Sequence, residues 1–115
     1  MQVQKIKHQP NFTGKIVFEK ETTTQLTRYA SDPLWRKFKE VATLVSEKPY
    51  DIFISRNKQN FDFYDIAANK TFEEAQKVKE YTVKIQSSIM QASIVDAAKD
   101  AMEMYEKYIS KKIRG

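Results

Sequence analysis

The stretch I-V-D-A-A-K-D-A-M-E-M-Y-E-K-Y-I, residues 94–109, decides how the rest of the chain is read. On a wheel of about 100° per residue, Ile94, Val95, Ala97, Ala98, Ala101, Met102, Met104, Tyr105, Tyr108 and Ile109 fill one half. Asp96, Lys99, Asp100, Glu103, Glu106, Lys107, Ser110 and Lys111 fill the other. So clean a division predicts a helix that docks on a large apolar surface through one face and meets water with the other. Ser93-Ile94-Val95-Asp96 resembles a capping box and sets the expected start. Charges run acidic first (Asp96, Asp100, Glu103) and basic last (Lys107, Lys111, Lys112), which complements the helix dipole. Lys112 falls back in the middle of the apolar half, so tight docking should end before it.

Upstream, the sequence supplies a sheet for this helix to cover. Tyr81, Val83 and Ile85 alternate with Thr82, Lys84 and Gln86, as an amphipathic strand does. Before it, Thr71-Phe72-Glu73-Glu74 is a capping-box pattern that opens a short helix with Phe72, Ala75 and Val78 inward. One continuous helix over residues 72–86 is the competing reading, and the β-branched alternation favours the break. Further back, Y-D-I-F-I-S and F-D-F-Y-D-I-A-A flank R-N-K-Q-N and form the best hairpin candidate. Tyr50, Ile52 and Ile54 share one face of the first strand. In the second, Phe61, Phe63 and Asp65 oppose Asp62, Tyr64 and Ile66. The turn has no Asn-Gly dipeptide to fix the register, so which set lies beside Ile52 stays open.

Ser31-Asp32-Pro33 is a conventional helix start, with a capping oxygen and a proline in the first turn. That helix should run to about Glu47, with Leu34, Trp35, Phe38, Val41, Ala42, Leu44 and Val45 inward, and stop before Pro49. T-G-K-I-V-F-E at 13–19 reads as a strand, while Thr22, Thr23, Thr24 and Gln25 form a polar connection with no compelling element. Residues 1–12 read as a flexible lead-in, and 13–115 as one domain. The expected fold is α+β: a two-layer sandwich of an antiparallel sheet of about three to five strands packed against two long helices, with one additional short helix. Trp35, Phe38, Val41, Ile52, Ile54, Val83, Ile94, Ala98, Met102 and Tyr105 should form its core.

Composition narrows function mainly by exclusion. In 115 residues there are two glycines, no cysteine and one histidine, His8, in the lead-in. Gly14 and Gly115 cannot build a phosphate-cradling loop, and the absence of cysteine removes disulfides, thiolate metal sites and a cysteine nucleophile. No cofactor is expected. A carboxylate metal site from Asp51, Asp62 and Asp65 is disfavoured because strand alternation puts Asp62 and Asp65 on opposite faces. No run is long and apolar enough for a membrane span, so a membrane association is not expected and the default compartment is the cytoplasm. The net charge of +5 permits an anionic partner, although part of it sits in Lys5, Lys7, Lys107, Lys111, Lys112 and Arg114 near the two ends.

Two surfaces remain as candidates. The apolar arc of the last helix is wider than one sheet contact requires, so its margins and far turn, Val95, Met104, Tyr108 and Ile113, are expected to meet a second chain, and a symmetric pair is the commonest arrangement. The sheet face turned away from the helices could carry Phe53, Phe61, Phe63 and Lys84, an aromatic and basic surface able to stack bases and attract phosphates. The favoured reading is a non-catalytic interaction protein that associates with itself, or with a protein partner, through that helix or the open sheet face. A single-stranded nucleic-acid binder is the alternative, and an enzyme comes third, since no histidine lies in the expected fold to serve a hydroxyl nucleophile.

Overall fold

The structure, a computed structural model, describes residues 13–114, without the side chains of Tyr29, Lys79, Ile113 and Arg114. The expectation for residues 1–12 therefore falls outside the described residues. The chain is α+β: a four-stranded sheet in the order β1-β2-β3-β4, with its long helices packed on one face. Its strands are β1 (Ile16–Phe18), β2 (Asp51–Arg56), β3 (Phe63–Asn69) and β4 (Val83–Gln86). The α-helices are α1 (Lys20–Tyr29), α2 (Asp32–Val45), α3 (Phe72–Lys77) and α4 (Met90–Arg114), and short 3-10 turns cover Lys79–Tyr81 and Ser87–Ile89.

The helix starts read at Ser31 and Thr71 hold. The Ser31 hydroxyl accepts a hydrogen bond from the Leu34 amide at 3.4 Å, and the Thr71 hydroxyl accepts one from the Glu74 amide at 3.1 Å. The break after α3 also holds, with Val83–Gln86 in a strand rather than a longer helix. Ser93 does not cap α4: the 3-10 turn Ser87–Ile89 runs directly into the helix, which begins at Met90. Of the expected core residues, Trp35 and Val83 are half-buried and the other eight are buried.

Two corrections concern the first third of the chain. The sheet is mixed, because β1 pairs with β2 in parallel, Ile16 beside Ile52 and Phe18 beside Ile54. Parallel neighbours need a crossover, and residues 19–50 provide it through α1 and α2. The polar connection at 22–25 is part of α1. Thr23 and Thr24 turn their hydroxyls back onto the carbonyls of Glu19 and Lys20, at 3.2 and 3.4 Å, while Leu26 and Thr22 face inward. The buried Thr22 hydroxyl accepts from the Arg56 amide at 3.0 Å, so a side chain of α1 satisfies a backbone donor at the end of β2.

The β2–β3 register settles the open question of the hairpin: Ile52 lies opposite Ala68, Ile54 opposite Ile66 and Arg56 opposite Tyr64. The Tyr64, Ile66 and Ala68 set therefore joins Ile52 and Ile54 beneath the helices. With Ile85, and with Phe38, Val41 and Val45 of α2 and Met90, Ile94, Ala98 and Ala101 of α4, they make the main core. Gly14 lies tight against neighbouring backbone: a methyl group there would overlap the carbonyl oxygens of Val45 and Tyr50.

Candidate interaction surfaces

The wide apolar arc of α4 is largely used within the chain. Val95 is half-buried and packs on the main core. Met104 is half-buried. Tyr108 is half-buried too: its ring lies 4.8 Å from that of Tyr81, and the Lys112 ammonium sits 5.6 Å from the ring centre on the same side chain. The intrusion of Lys112 is thus accommodated as a cation–π contact. The Ile113 side chain lies outside the described residues. Among the described residues the exposed large apolar side chains are Phe61 and Ile89, and neither is on α4.

Where α2 ends, a polar cluster fastens α4. The Tyr50 hydroxyl donates to the Glu106 carboxylate, which also meets the Lys48 ammonium at 3.0 Å, and the Tyr50 and Tyr105 rings pack edge-on at 4.9 Å. Burial, and then the bond to Glu106, pushes the Tyr50 phenol above its ordinary value. Burial and the neighbouring Tyr108 do the same to Tyr105. The Tyr50 hydrogen bond holds the Glu106 carboxyl below its ordinary value, helped by Lys48 and opposed by partial burial. The shifts drive acid and phenol apart, so neither exchanges a proton near neutral pH. That is the signature of a fixed tie between segments rather than an acid–base pair.

The opposite sheet face is built from the alternate residues Val17, Phe53, Ser55, Phe63, Asp65, Ala67, Lys84 and Gln86. One part is covered. Phe72 and Ala75 of α3 pack on Val17, Phe53 and Ala67, with the Phe53 and Phe72 rings 5.8 Å apart. Phe53, expected to be available for stacking, is only 5% exposed. Phe61, also expected on this face, lies in the turn before β3 and is 64% exposed. The Arg56 guanidinium covers it at 5.5 Å, and Arg56 Nε donates to its carbonyl oxygen at 2.7 Å. Arg56 alternates onto the helix side, so Phe61 is held at the hairpin end of the sheet. The structure does bring Phe63 and Lys84 together on the uncovered part, Phe63 opposite Gln86 and Lys84 opposite Asp65.

Between this uncovered part and α3 is a groove of about 190 Å³ lined by Phe53, Ala67 and Phe72, with Ser55, Asp65 and Lys84 among its polar lining. Asn57 shapes one wall. Its side-chain oxygen accepts from the amides of Gln59 and Asn60 at 2.9 and 2.8 Å, and its side-chain nitrogen donates to Asp65 Oδ1 at 3.0 Å. The hairpin loop is therefore closed by a side chain instead of a glycine. Sequence reasoning missed this arrangement, because an asparagine in a polar turn is ordinary and its bond to Asp65 exists only once the register is fixed.

The groove is smaller than the roughly 300 Å³ at which small-molecule pockets begin. Among the described residues no three histidine, cysteine, aspartate or glutamate side chains gather as a metal site. Asp51 is engaged by Lys15 at 3.3 Å, and Asp65 lies opposite Ser55, four positions along the hairpin from the Asp51–Asn69 pair. No helix among the described residues is long and apolar enough to cross a membrane. No family model, curated protein or solved structure matches the chain.

Proposed function

We propose that this protein is a non-catalytic interaction module that associates with itself through the open face of its sheet. The observation that carries the reading is the incomplete cover of that face. The six-residue α3 shields Val17, Phe53 and Ala67, while Phe63 stays half-exposed and Lys84 and Gln86 are exposed beside it. The α4 route has less support, since Val95 and Tyr108 already pack within the chain. Base stacking also has less, because α3 occupies the Phe53 ring and Asp65 places a negative charge beside Lys84.

The test is the mass of the full chain in solution, by sedimentation equilibrium, for the native sequence and two variants. Phe63→Glu should abolish the dimer, whereas Met104→Glu should leave it intact. Loss of the dimer with Met104→Glu alone would move the contact to α4. A monomer at every accessible concentration would overturn the reading. Copurifying nucleic acid, with heparin binding that weakens steeply with salt, would favour the nucleic-acid alternative.

A further inference from the structure

The open face carries a positive and a negative side chain that are neighbours without being partners. Asp65 and Lys84 are register partners on β3 and β4, and both point away from the main core. Directly opposed residues in an antiparallel pair have Cβ atoms about 5 Å apart. Even so, no ion pair within 4.0 Å joins them, and among the described residues no other ion pair reaches either. The Asn57 side chain accounts for this on the acidic side. Its hydrogen bond to Asp65 Oδ1 draws the carboxylate toward β2 and away from β4. Lys84 is left exposed.

We infer that two copies of the chain pack open face to open face, with Lys84 of each copy on Asp65 of the other. This rests on the self-association proposed above and specifies its contact. A two-fold axis lying in the interface, between β3 and β4 and parallel to them, exchanges the two strands. It sets each register position against its own partner. The Asp65–Lys84 row then meets itself with opposite charges facing, twice, as an isologous contact requires. The same operation lays Phe63 over Gln86 of the second copy, which covers the ring left half-exposed on this face. A partner of single-sign charge, such as a polyanion, would satisfy Lys84 and repel Asp65, whereas a second copy satisfies both. With strands about 4.8 Å apart and a rise of about 3.4 Å per residue, the four paired positions of β3 and β4 that α3 leaves open cover on the order of 130 Å². A standard interface buries about 800 Å² per partner. The association is accordingly weak, dependent on concentration and loosened by salt.

The decisive experiment is charge exchange, read as self-association by sedimentation equilibrium up to the solubility limit. Asp65→Lys and Lys84→Asp should each weaken the dimer by about tenfold or more, since each places like charges across both contacts. An equimolar mixture should recover a heterodimer near native strength, because the all-lysine face then meets the all-aspartate face. Asp65→Asn keeps an oxygen for Asn57 and removes only the charge, so it should weaken association with the thermal midpoint unchanged, which separates the contact from the fold. A native dimer indifferent to both reversals, or weakened singles with no rescue on mixing, would overturn this pairing while leaving self-association standing. A native chain that is monomeric throughout would overturn both.

Discussion

The two faces of the sheet are built from alternate residues of the same strands and are held in different ways. Ile52, Ile54 and Ile66 are fully buried under α2 and α4, two helices of 14 and 25 residues. Phe53, between two of those isoleucines, is also buried, but under the six residues of α3. Burial in a strand does not by itself reveal what depends on it. The helix-covered face joins all four strands to α1, α2 and α4, whereas the other face joins one short helix to three strands.

If that contrast is right, truncation should hurt most beneath the long helices. Ile66→Ala should cost about 4 kcal/mol in equilibrium urea unfolding, while Phe63→Ala on the open side should cost less than about 1 kcal/mol. Equal losses would erase the distinction. Gly14→Ala comes next, at about 3 kcal/mol, because the added methyl meets backbone carbonyl oxygens that cannot swing aside as a side chain could. A thermal midpoint within a few degrees of native would show that the backbone there can yield.

Phe72→Ala sharpens the comparison from the other side. It should cost about 1.5 kcal/mol, near half the value for a fully buried ring, and should leave the fluorescence of Trp35 unchanged. That residue, the single tryptophan of the chain, packs with Phe18 and Phe38 on the helix side, ring centres 6.1 and 5.3 Å away. A shifted emission would mean that the faces are coupled more tightly than their separate clusters suggest.

The smallest effect concerns pH. Glu106 has a folded pKa below its unfolded one, so its contribution is present above the ordinary carboxylate range and is lost as pH falls through the folded value. Its side chain is 46% exposed, so solvent screening keeps that contribution small. Glu106→Gln should flatten the acid limb of the stability profile slightly. Tyr50 and Tyr105 have the opposite sign. Their raised values give stability that is present below the ordinary phenol pKa of 10.0 and lost as pH climbs above it. Tyrosinate absorbance should therefore show two phenols, Tyr50 and Tyr105, ionising above the ordinary tyrosine range while the chain is folded.

Much of this architecture is written locally, and the remainder only in three dimensions. The amphipathic pattern of α2 and α4, the oxygens at Ser31 and Thr71 and the alternation of β4 are signals within a few residues of one another, and each is legible. In α1, three consecutive threonines are weak helix formers, and what holds them is Leu26 in the core and the Thr22 contact with Arg56, 34 positions away. The parallel placement of β1 leaves no mark within its three residues. On the candidate surfaces, Lys84 is readable by alternation within its strand, whereas the face of Phe63 waits on the β2–β3 register. The cover over Phe53 depends on where α3 lands, and the bond from Asn57 to Asp65 on the register, neither of which composition carries.

The parallel edge strand has a consequence for the order in which the molecule assembles. β2 and β3 meet across a short loop, but β1 reaches β2 only after a crossover containing two helices. Three residues of pairing then have to offset the closure of a long loop. Contacts 36 positions apart form later than those of the hairpin, whose strand β2 supplies the edge that β1 joins. The edge is thus a seam that should close after the hairpin in refolding and open before it in native-state hydrogen exchange. The amides of Ile52 and Glu19, which bind the carbonyl oxygens of Lys15 and Ile54, mark where that opening begins.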